Sequence, residues 1–336
     1  MGIKTFRILM NDYPYEFELE RIKERIKESA ATTIGLQLPE GLKRVATEIA
    51  LELYHATGAE VIISGHSCYG ACDIDEKLER EVDLLFHFGH TETFPFYKRE
   101  PVVKGKNKRK VFFIELRSSV DVKPVVEKAA VEITGARIGL VTTVQHVHRL
   151  EEAKKVLARM GKDALVGKSR GLKYAGQVLG CEFSSARVPC DEIMFVGSGT
   201  FHPVGIALYT GKRVIAADPF SMQISIVEAE EQRKKRYLAI ARTLDAKSFG
   251  IIMSTKSGQF NLDKAISVCR KADAKGLNAF LIAMDDITEV SLLGFKVDAY
   301  VNTACPRLAE DFDKLSVLSA EEFEVVLGER DWGDIF

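Results

Sequence analysis

The stretch VDLLFHFGH, residues 82–90, decides the fold. It is a mainly apolar run that ends in glycine and a polar residue, and two similar stretches occur later in the chain. The counterparts are DEIMFVGSG, residues 191–199, and VDAYVNTAC, residues 297–305. A short apolar run bounded by turn residues is typical of a strand buried in a parallel sheet. The three stretches therefore predict three equivalent strands, one in each of three repeated units.

The segments that precede these strands follow one order: strand, polar loop, helix and second strand. In the first unit, residues 32–41 (TTIGLQLPEG) predict a strand and its loop, and residues 42–58 predict a helix that Gly58 closes. Strands that alternate with helices are typical of parallel sheets. The sequence therefore predicts an α/β protein made of three pseudo-repeated small modules.

The predicted modules divide the 336 residues into three parts of similar length. Module 1 is residues 1–110 and includes an N-terminal amphipathic helix, module 2 is residues 111–225, and module 3 is residues 226–336. Ligand sites of open α/β sheets gather at the carboxyl ends of the strands. We therefore expect the three modules to be arranged around one central site.

Composition excludes several classes of protein. With 46% hydrophobic residues, 28% charged residues and a formal net charge of -1, the chain is neither disordered nor basic enough for a general nucleic-acid binder. Apolar runs of signal-peptide or membrane-helix length do not occur in it. We expect a cytoplasmic protein that binds neither free nucleic acid nor a membrane.

One basic segment stands apart from this balanced charge. KGKNKRK, residues 104–110, has five basic side chains in seven residues. The simpler interpretation is a solvated turn before the next strand. The alternative is a docking segment for an acidic or RNA-bound partner, and the sequence leaves both open.

Six cysteines are candidate core residues, reactive thiols or metal ligands, because disulfides are rare in a reducing cytoplasm. Cys269 falls within a predicted helix and Cys190 starts a predicted strand, so both are interpreted as core residues. One loop cysteine can then be taken from each module: Cys72, Cys181 and Cys305. Each has glycine, alanine or proline beside it, which lets a bulky cluster approach the backbone.

Three thiolates can hold a 4Fe–4S cluster and leave one iron open for a substrate. Zinc is the competing metal, but this set lacks the paired C-x-x-C cysteines of structural zinc sites. Cys68 and Cys72 are spaced like the start of the radical iron–sulfur motif C-x-x-x-C-x-x-C, although its third position is Asp75. Either this spacing is accidental, or the missing ligands come from elsewhere in the chain.

Several motifs resemble those of the archaeal diphthamide synthases, the 3-amino-3-carboxypropyl transferases that modify elongation factor 2. The motifs run in the family's order over most of the chain and are GLQLPEGL, YGACDID, HFGHT, QVLGC, DPF, STKSGQFN and ACPRL. The resemblance implies that Cys72, Cys181 and Cys305 hold the cluster, which agrees with the choice from the repeat. The cysteine spacing at Cys68 is then accidental.

Two positions depart from the family's pattern. Cys72 is followed by Asp73 where eukaryotic relatives often carry a second cysteine, so one candidate ligand is removed. The loop STKSGQFN contains lysine and serine where relatives tend to read Gly-Arg-Gln-Gly.

The resemblance implies the first step of diphthamide biosynthesis. In that reaction S-adenosylmethionine is cleaved reductively at the bond from sulfur to the γ-carbon, and methylthioadenosine is released. The 3-amino-3-carboxypropyl group is transferred to C2 of a histidine of elongation factor 2. A homodimer and an electron donor are also implied.

Polar residues just after predicted strands are the candidates for holding S-adenosylmethionine. They are Gln37, His90, Gln145 and Gln259, and Arg307 is a candidate for binding the methionyl carboxylate through two hydrogen bonds. Each also has a simpler interpretation as a loop cap or a surface contact. His66 and His90 suggest metal ligands or general bases as well, but an isolated histidine is more often structural.

Two other classes of function stay open at this point. One is a 4Fe–4S lyase or dehydratase similar to quinolinate synthase, which is also built from three α/β modules around a cluster. The other is an iron–sulfur sensor or scaffold without turnover. Fold and cluster alone do not separate these classes, whereas the formation of methylthioadenosine does.

Overall fold

The computed structural model describes residues 13–92, 110–309, 312 and 314–335. The strands are β1 Thr33–Gln37, β2 Glu60–Ile63, β3 Leu84–Phe88, β4 Val111–Ile114, β5 Arg137–Thr142, β6 Asp163–Leu165, β7 Glu192–Val196, β8 Val214–Asp218, β9 Gln223–Val227, β10 Ser248–Ser254, β11 Asn278–Met284, β12 Ala299–Asn302 and β13 Val317–Ser319. The helices are α1 Leu19–Ser29, α2 Lys43–Thr57, α3 Glu76–Glu81, α4 Lys123–Ala130, α5 Leu150–Arg159, α6 Phe201–Thr210, α7 Ala229–Ala241, α8 Leu262–Ala274, α9 Glu289–Leu292 and α10 Ala320–Val326.

Three sheets repeat one strand order. The first sheet runs β2-β1-β3-β4, the second β6-β5-β7-β8-β9 and the third β11-β10-β12-β13. In each sheet the first strand pairs in parallel with the second on one side and the third on the other. The three stretches predicted to be equivalent are β3, β7 and β12, so the prediction of repeated α/β modules with mostly parallel sheets is confirmed.

β8 and β9 of the second sheet and β13 of the third were not predicted from the sequence. β9 pairs antiparallel with β8, at the edge of the sheet. The turn between them is held by Asp218, which accepts hydrogen bonds from the N–H of Phe220 and the hydroxyl of Ser198. β4, which the predicted boundary at residue 110 assigns to module 2, pairs with β3 in the first sheet. The module boundaries themselves stay a prediction.

An aspartate stands immediately before the third strand of each sheet and has the same role each time. Its carboxylate accepts hydrogen bonds from two successive backbone N–H groups where the first strand of that sheet begins. The pairs, at 2.8–3.0 Å, are Asp83 with Thr32 and Thr33, Asp191 with Ala136 and Arg137, and Asp298 with Lys247 and Ser248. The three-fold repeat therefore extends from strand order to side-chain contacts.

Helix α2 shows how a helix packs on its sheet through one apolar face. In α2 the buried side chains are Val45, Ala46, Ile49 and Leu53, which lie on one stripe because they are spaced by about one helical turn. Removing such side chains from water stabilises the fold by about 1.5–3 kcal/mol for each large one. Gly58 ends α2 in the left-handed region, at φ 74°, as the sequence predicts.

Contacts divide the chain into two compact units. Unit 1 reaches to Asp121 and takes in Val144–His148 and Gly171–Lys173, and unit 2 is the remainder. Unit 1 contains the first sheet, and unit 2 contains the second and third sheets. Within the part of the chain that is described, no helix combines the length and the apolar character that a membrane span requires.

Candidate functional site

Gln37 and His87 lie side by side where β1 and β3 end. They are register partners in the parallel pair, and His87 Nδ1 is 2.9 Å from Gln37 Oε1. The Gln37 amide is oriented by two backbone contacts: its Nε2 donates to the carbonyl of Asp73, and its Oε1 accepts from the N–H of Asp75. Since Oε1 is an acceptor, His87 Nδ1 must carry a hydrogen and donate it.

His87 and His90 face each other across a tight turn. His87 Nε2 lies 2.8 Å from His90 Nδ1, and the two ring centroids are 5.0 Å apart. Gly89 makes the turn at φ 86°, and a Cβ at that position would lie 2.9 Å from Pro39 Cγ. Glycine is therefore needed between the two histidines.

Burial keeps both imidazoles neutral. It lowers the pKa of His87 well below its usual range, and the neighbouring His90 lowers it further. Burial also lowers the pKa of His90, to about 4. A neutral His87 that donates from Nδ1 has a lone pair on Nε2, so His90 donates its Nδ1 hydrogen to that lone pair.

Cys68 completes this group. Its Sγ lies 3.9 Å from His87 Nε2, and its side chain is buried, with 2% of its surface exposed. One ligand atom from each of Cys68, His87 and His90 lies within 4.8 Å of the other two. The arrangement has the donor types and the spacing to bind one metal ion.

His90 is not an isolated histidine. The structure pairs it with His87, a residue that the sequence reasoning passed over because it lies inside an apolar strand. The signal was present as H-x-x-H in HFGH, with the glycine that lets the chain turn back. His66, the other candidate histidine, is exposed in the loop after β2.

Asp75 occupies the third cysteine position of the radical iron–sulfur motif, but its role here is structural. Its carboxylate accepts a hydrogen bond from the N–H of Leu78 and caps α3. It also accepts a hydrogen bond from the hydroxyl of Ser64. Asp75 therefore holds the loop between β2 and α3, which carries both Cys68 and Cys72.

The three predicted cluster cysteines all lie in loops. Cys72 belongs to unit 1 and follows β2, whereas Cys181 and Cys305 belong to unit 2. Cys305 comes three residues after β12, and Cys181 lies in the segment beyond β6. Cys181 is exposed, and Cys72 and Cys305 are half-buried. Each is thus accessible to an inorganic group.

The two cysteines predicted to be core residues are in the core. Cys190 is 5% exposed and packs in the apolar cluster beneath β7, and Cys269 packs from α8 against the core of the third sheet. Burial raises the pKa of both thiols. They are therefore protonated at neutral pH and poorly suited to metal binding.

Gln145, another candidate for contacts to S-adenosylmethionine, is held by hydrogen bonds from its side chain to backbone carbonyls. Its Nε2 donates to the carbonyl of Gly89 at 2.7 Å, so it lies next to the turn between the two histidines. Gln259 is half-buried in the turn after β10. Arg307 is in a short helical turn, Pro306–Ala309, and its side chain is outside the described part of the structure.

The basic segment 104–110 falls almost wholly on residues outside the described part. Lys110 is the exception, and its ammonium donates to the carbonyl of Val82 at 3.0 Å. This lysine therefore ties the start of β4 to the start of β3. Docking by the other residues of the segment stays a prediction.

Comparison with known proteins gives one consistent result. The model of the family described as "Putative diphthamide synthesis protein" matches residues 38–336. The 2-(3-amino-3-carboxypropyl)histidine synthase of Pyrococcus horikoshii is 36% identical over 325 residues, which is 94% of this chain and 92% of that protein. The 2-(3-amino-3-carboxypropyl)histidine synthase subunit 1 of Caenorhabditis elegans is 26% identical over 308 residues, which is 89% of this chain and 76% of that protein.

A solved structure agrees with the sequence matches. The crystal structure of Dph2 from Pyrococcus horikoshii with a 4Fe-4S cluster superimposes on this chain with a TM-score of 0.83. The identity is 36%, and the match covers 94% of this chain and 92% of that one. This chain is therefore similar to that protein both in sequence and in its fold over almost the full length.

Proposed function

Because this chain belongs to the family of diphthamide synthesis proteins, we propose that it is the enzyme of the first step of diphthamide biosynthesis, a 2-(3-amino-3-carboxypropyl)histidine synthase. The observation that carries the proposal is the 36% identity over almost the full length of a synthase of that name. Family membership also removes the support for the alternative of a lyase similar to quinolinate synthase.

A 4Fe–4S cluster is the proposed cofactor, with Cys72, Cys181 and Cys305 as its ligands. The donor set fits, because thiolates are the usual ligands of iron–sulfur clusters and all three thiols lie in loops with some solvent access. The related Dph2 structure contains such a cluster. When bound and reduced, the cluster would supply the electron that breaks the bond from sulfur to the γ-carbon of S-adenosylmethionine.

We further propose that residues at the carboxyl ends of the strands hold S-adenosylmethionine. Arg307, two residues after Cys305, is suited to bind the methionyl carboxylate through two hydrogen bonds. Gln37, His90, Gln145 and Gln259 are the other proposed contacts. The Gln37 and Gln145 amides already bond to loop backbone, which suggests that they shape the site as well as contact the cosubstrate.

The role proposed for Arg307 predicts an effect on the binding of S-adenosylmethionine that is separate from any effect on the cluster. Arg307→Ala should weaken the binding of S-adenosylmethionine and leave the iron content unchanged, because its role is to hold a carboxylate and not the metal. Loss of iron in this variant would instead give Arg307 a structural role.

The proposed protein substrate is elongation factor 2, and the group is transferred to C2 of one of its histidines. Positioning dominates such a step, because imidazole C2 is a poor nucleophile at neutral pH and the cofactor supplies the reactive species. We expect a homodimer and a separate electron donor. Since elongation factor 2 acts in translation, we expect the reaction to take place in the cytoplasm.

The products of cosubstrate cleavage test this function. Anaerobically reduced, cluster-loaded protein should convert S-adenosylmethionine to methylthioadenosine. Release of 5′-deoxyadenosine as the main product would show cleavage at the ribose carbon and would contradict the proposal. A reduced cluster that gives neither product would favour a sensor or scaffold.

A further inference from the structure

We propose that Cys68, His87 and His90 form a zinc site in unit 1 that is separate from the iron–sulfur cluster. None of these residues is among the proposed cluster ligands. The three donor atoms lie within 4.8 Å of one another, a spacing that suits one ion. Thiolates that bind different irons of a cluster must stand farther apart than the ligands of a single ion.

The distances fit a tetrahedral ion after small adjustments. Zinc binds nitrogen at about 2.0–2.1 Å and sulfur at about 2.3 Å, so neighbouring ligand atoms stand about 3.3–3.6 Å apart. His87 Nε2 is 2.8 Å from His90 Nδ1 and 3.9 Å from Cys68 Sγ. Shifts of about half an ångström bring these two distances to those of zinc coordination. The third distance, from Cys68 to His90, is within 4.8 Å and would shorten by up to about 1.2 Å when zinc binds.

The hydrogen bond at His87 Nδ1 is of the kind that a metal-binding histidine needs at its second ring nitrogen. A ligating imidazole usually donates its second N–H to a fixed acceptor, which sets the tautomer and aims the other nitrogen at the metal. Gln37 Oε1 is that acceptor for His87 Nδ1. The Gln37 amide is itself held by the backbone of Asp73 and Asp75. The His87 Nε2 lone pair is therefore directed at Cys68 and His90 before any metal binds.

The donor types favour zinc. One thiolate and two neutral imidazoles form a mixed sulfur and nitrogen set, which suits zinc better than magnesium or calcium, because those ions prefer oxygen ligands. For zinc to bind, Cys68 loses its proton, and the Nδ1 hydrogen of His90 moves to Nε2 as the other tautomer. One proton is released to solvent.

Such a site would brace the loop that carries Cys72. Cys68 and Cys72 lie in one loop, between β2 and α3, whereas His87 is near the end of β3 and His90 follows that strand by two residues. A bound ion would fix this loop to the sheet. This consequence for the cluster rests on the proposed function of Cys72, but zinc binding itself does not.

Cobalt binding to a variant without cluster ligands tests the proposal. In full-length Cys72→Ala/Cys181→Ala/Cys305→Ala protein, kept reduced and anaerobic, we expect one Co²⁺ to bind with a thiolate-to-cobalt charge-transfer band. Adding Zn²⁺ should displace it. The band should vanish on further substitution of Cys68→Ala and persist on Cys269→Ala, the matched control. Absence of the band, or its survival in the Cys68→Ala variant, would overturn the proposal.

A second measurement uses the wild-type protein and covers the case in which the triple variant does not fold. Native mass spectrometry of anaerobic, cluster-loaded protein incubated with Zn²⁺ should show one zinc in addition to the cluster. Cys68→Ala should lose that zinc, and Gln37→Ala should weaken zinc binding by about 10–100-fold. Equal zinc binding by wild type and Cys68→Ala would refute the site, whether or not the protein transfers the aminocarboxypropyl group.

Discussion

His87 Nδ1 donates a hydrogen bond to Gln37 Oε1, and the two residues are register partners at the carboxyl ends of β1 and β3. One strand therefore sets the tautomer of a histidine on the next strand. The same contact directs the other His87 nitrogen at His90 and Cys68. A buried polar group of this kind is stable only when each of its members has a partner.

The first prediction concerns the ligands of the cluster. Cys72→Ala, Cys181→Ala and Cys305→Ala should each remove the visible absorbance of the anaerobically reconstituted cluster or make it labile, because each variant lacks one of three thiolates. Absorbance and iron content measure the effect. Full and stable cluster content in all three variants would disprove the assignment.

Two other cysteines serve as controls for this experiment. Cys269→Ala should keep the cluster, because Cys269 packs from α8 against an apolar core. Cys68→Ala should retain most of the iron, since we place Cys68 in the zinc site. Loss of the cluster from the Cys68→Ala variant would mean that Cys68 is a cluster ligand after all.

The second prediction is that metal-free, cluster-free protein loses stability on mild acidification through His90. The pKa of His90 is lowered to about 4 in the folded state, whereas an unfolded histidine titrates near 6.5. Between these values the unfolded state binds more protons, so stability is full above about pH 6.5 and falls as the pH drops toward 4. The expected loss is about 2 kcal/mol.

Denaturant unfolding of the wild type and of His90→Gln, at pH 7 and pH 4.5, measures this loss. The wild type should lose more free energy of unfolding than the variant over this interval, because the variant has no imidazole to protonate at that position. Carboxylates titrate equally in both proteins and cancel in the comparison. An equal loss in both would show that His90 is not held neutral by the fold.

The third prediction concerns the aspartate that stands immediately before the third strand of each sheet. Hydrogen bonds from the N–H groups of Thr32 and Thr33 hold the pKa of Asp83 below its usual range. Its contribution to stability is therefore present above about pH 4 and is lost as the pH falls below that value. Asp83→Ala should lower the free energy of unfolding by about 1 kcal/mol at neutral pH, a small value because the site is near the surface.

Asp245→Ala, at an exposed aspartate in the loop after α7, is the matched control and should change stability little. Unfolding curves for the two variants and the wild type decide the matter. If Asp83→Ala and Asp245→Ala behave alike, the repeated aspartate contacts do not contribute to stability.

Much of the fold could be predicted from sequence because local patterns carry it. The repeated apolar stretches gave the third strand of each sheet, and the stripe of apolar residues with Gly58 gave α2 and its end. Cys190 and Cys269 were placed in the core from their position in a strand and a helix. These predictions depend on neighbours a few residues away, which the sequence displays directly.

What the sequence did not reveal depends on register between distant strands. His87 reads as one more residue of a buried strand, and its partner Gln37 is 50 residues earlier in the chain. Asp83 was part of the aligned stretches, but its two N–H donors lie about as far away in sequence. Neither contact can be assigned until the pairing of β1 with β3 is known.

Transfer of label to the protein substrate tests the proposed function most directly. Anaerobically reduced, cluster-loaded protein is incubated with carboxyl-labelled S-adenosylmethionine and archaeal elongation factor 2. We predict that label appears on elongation factor 2 together with methylthioadenosine, and that replacing the target histidine of the factor abolishes the labelling. No labelling of the wild-type factor by protein with an intact, reduced cluster would contradict the proposed function.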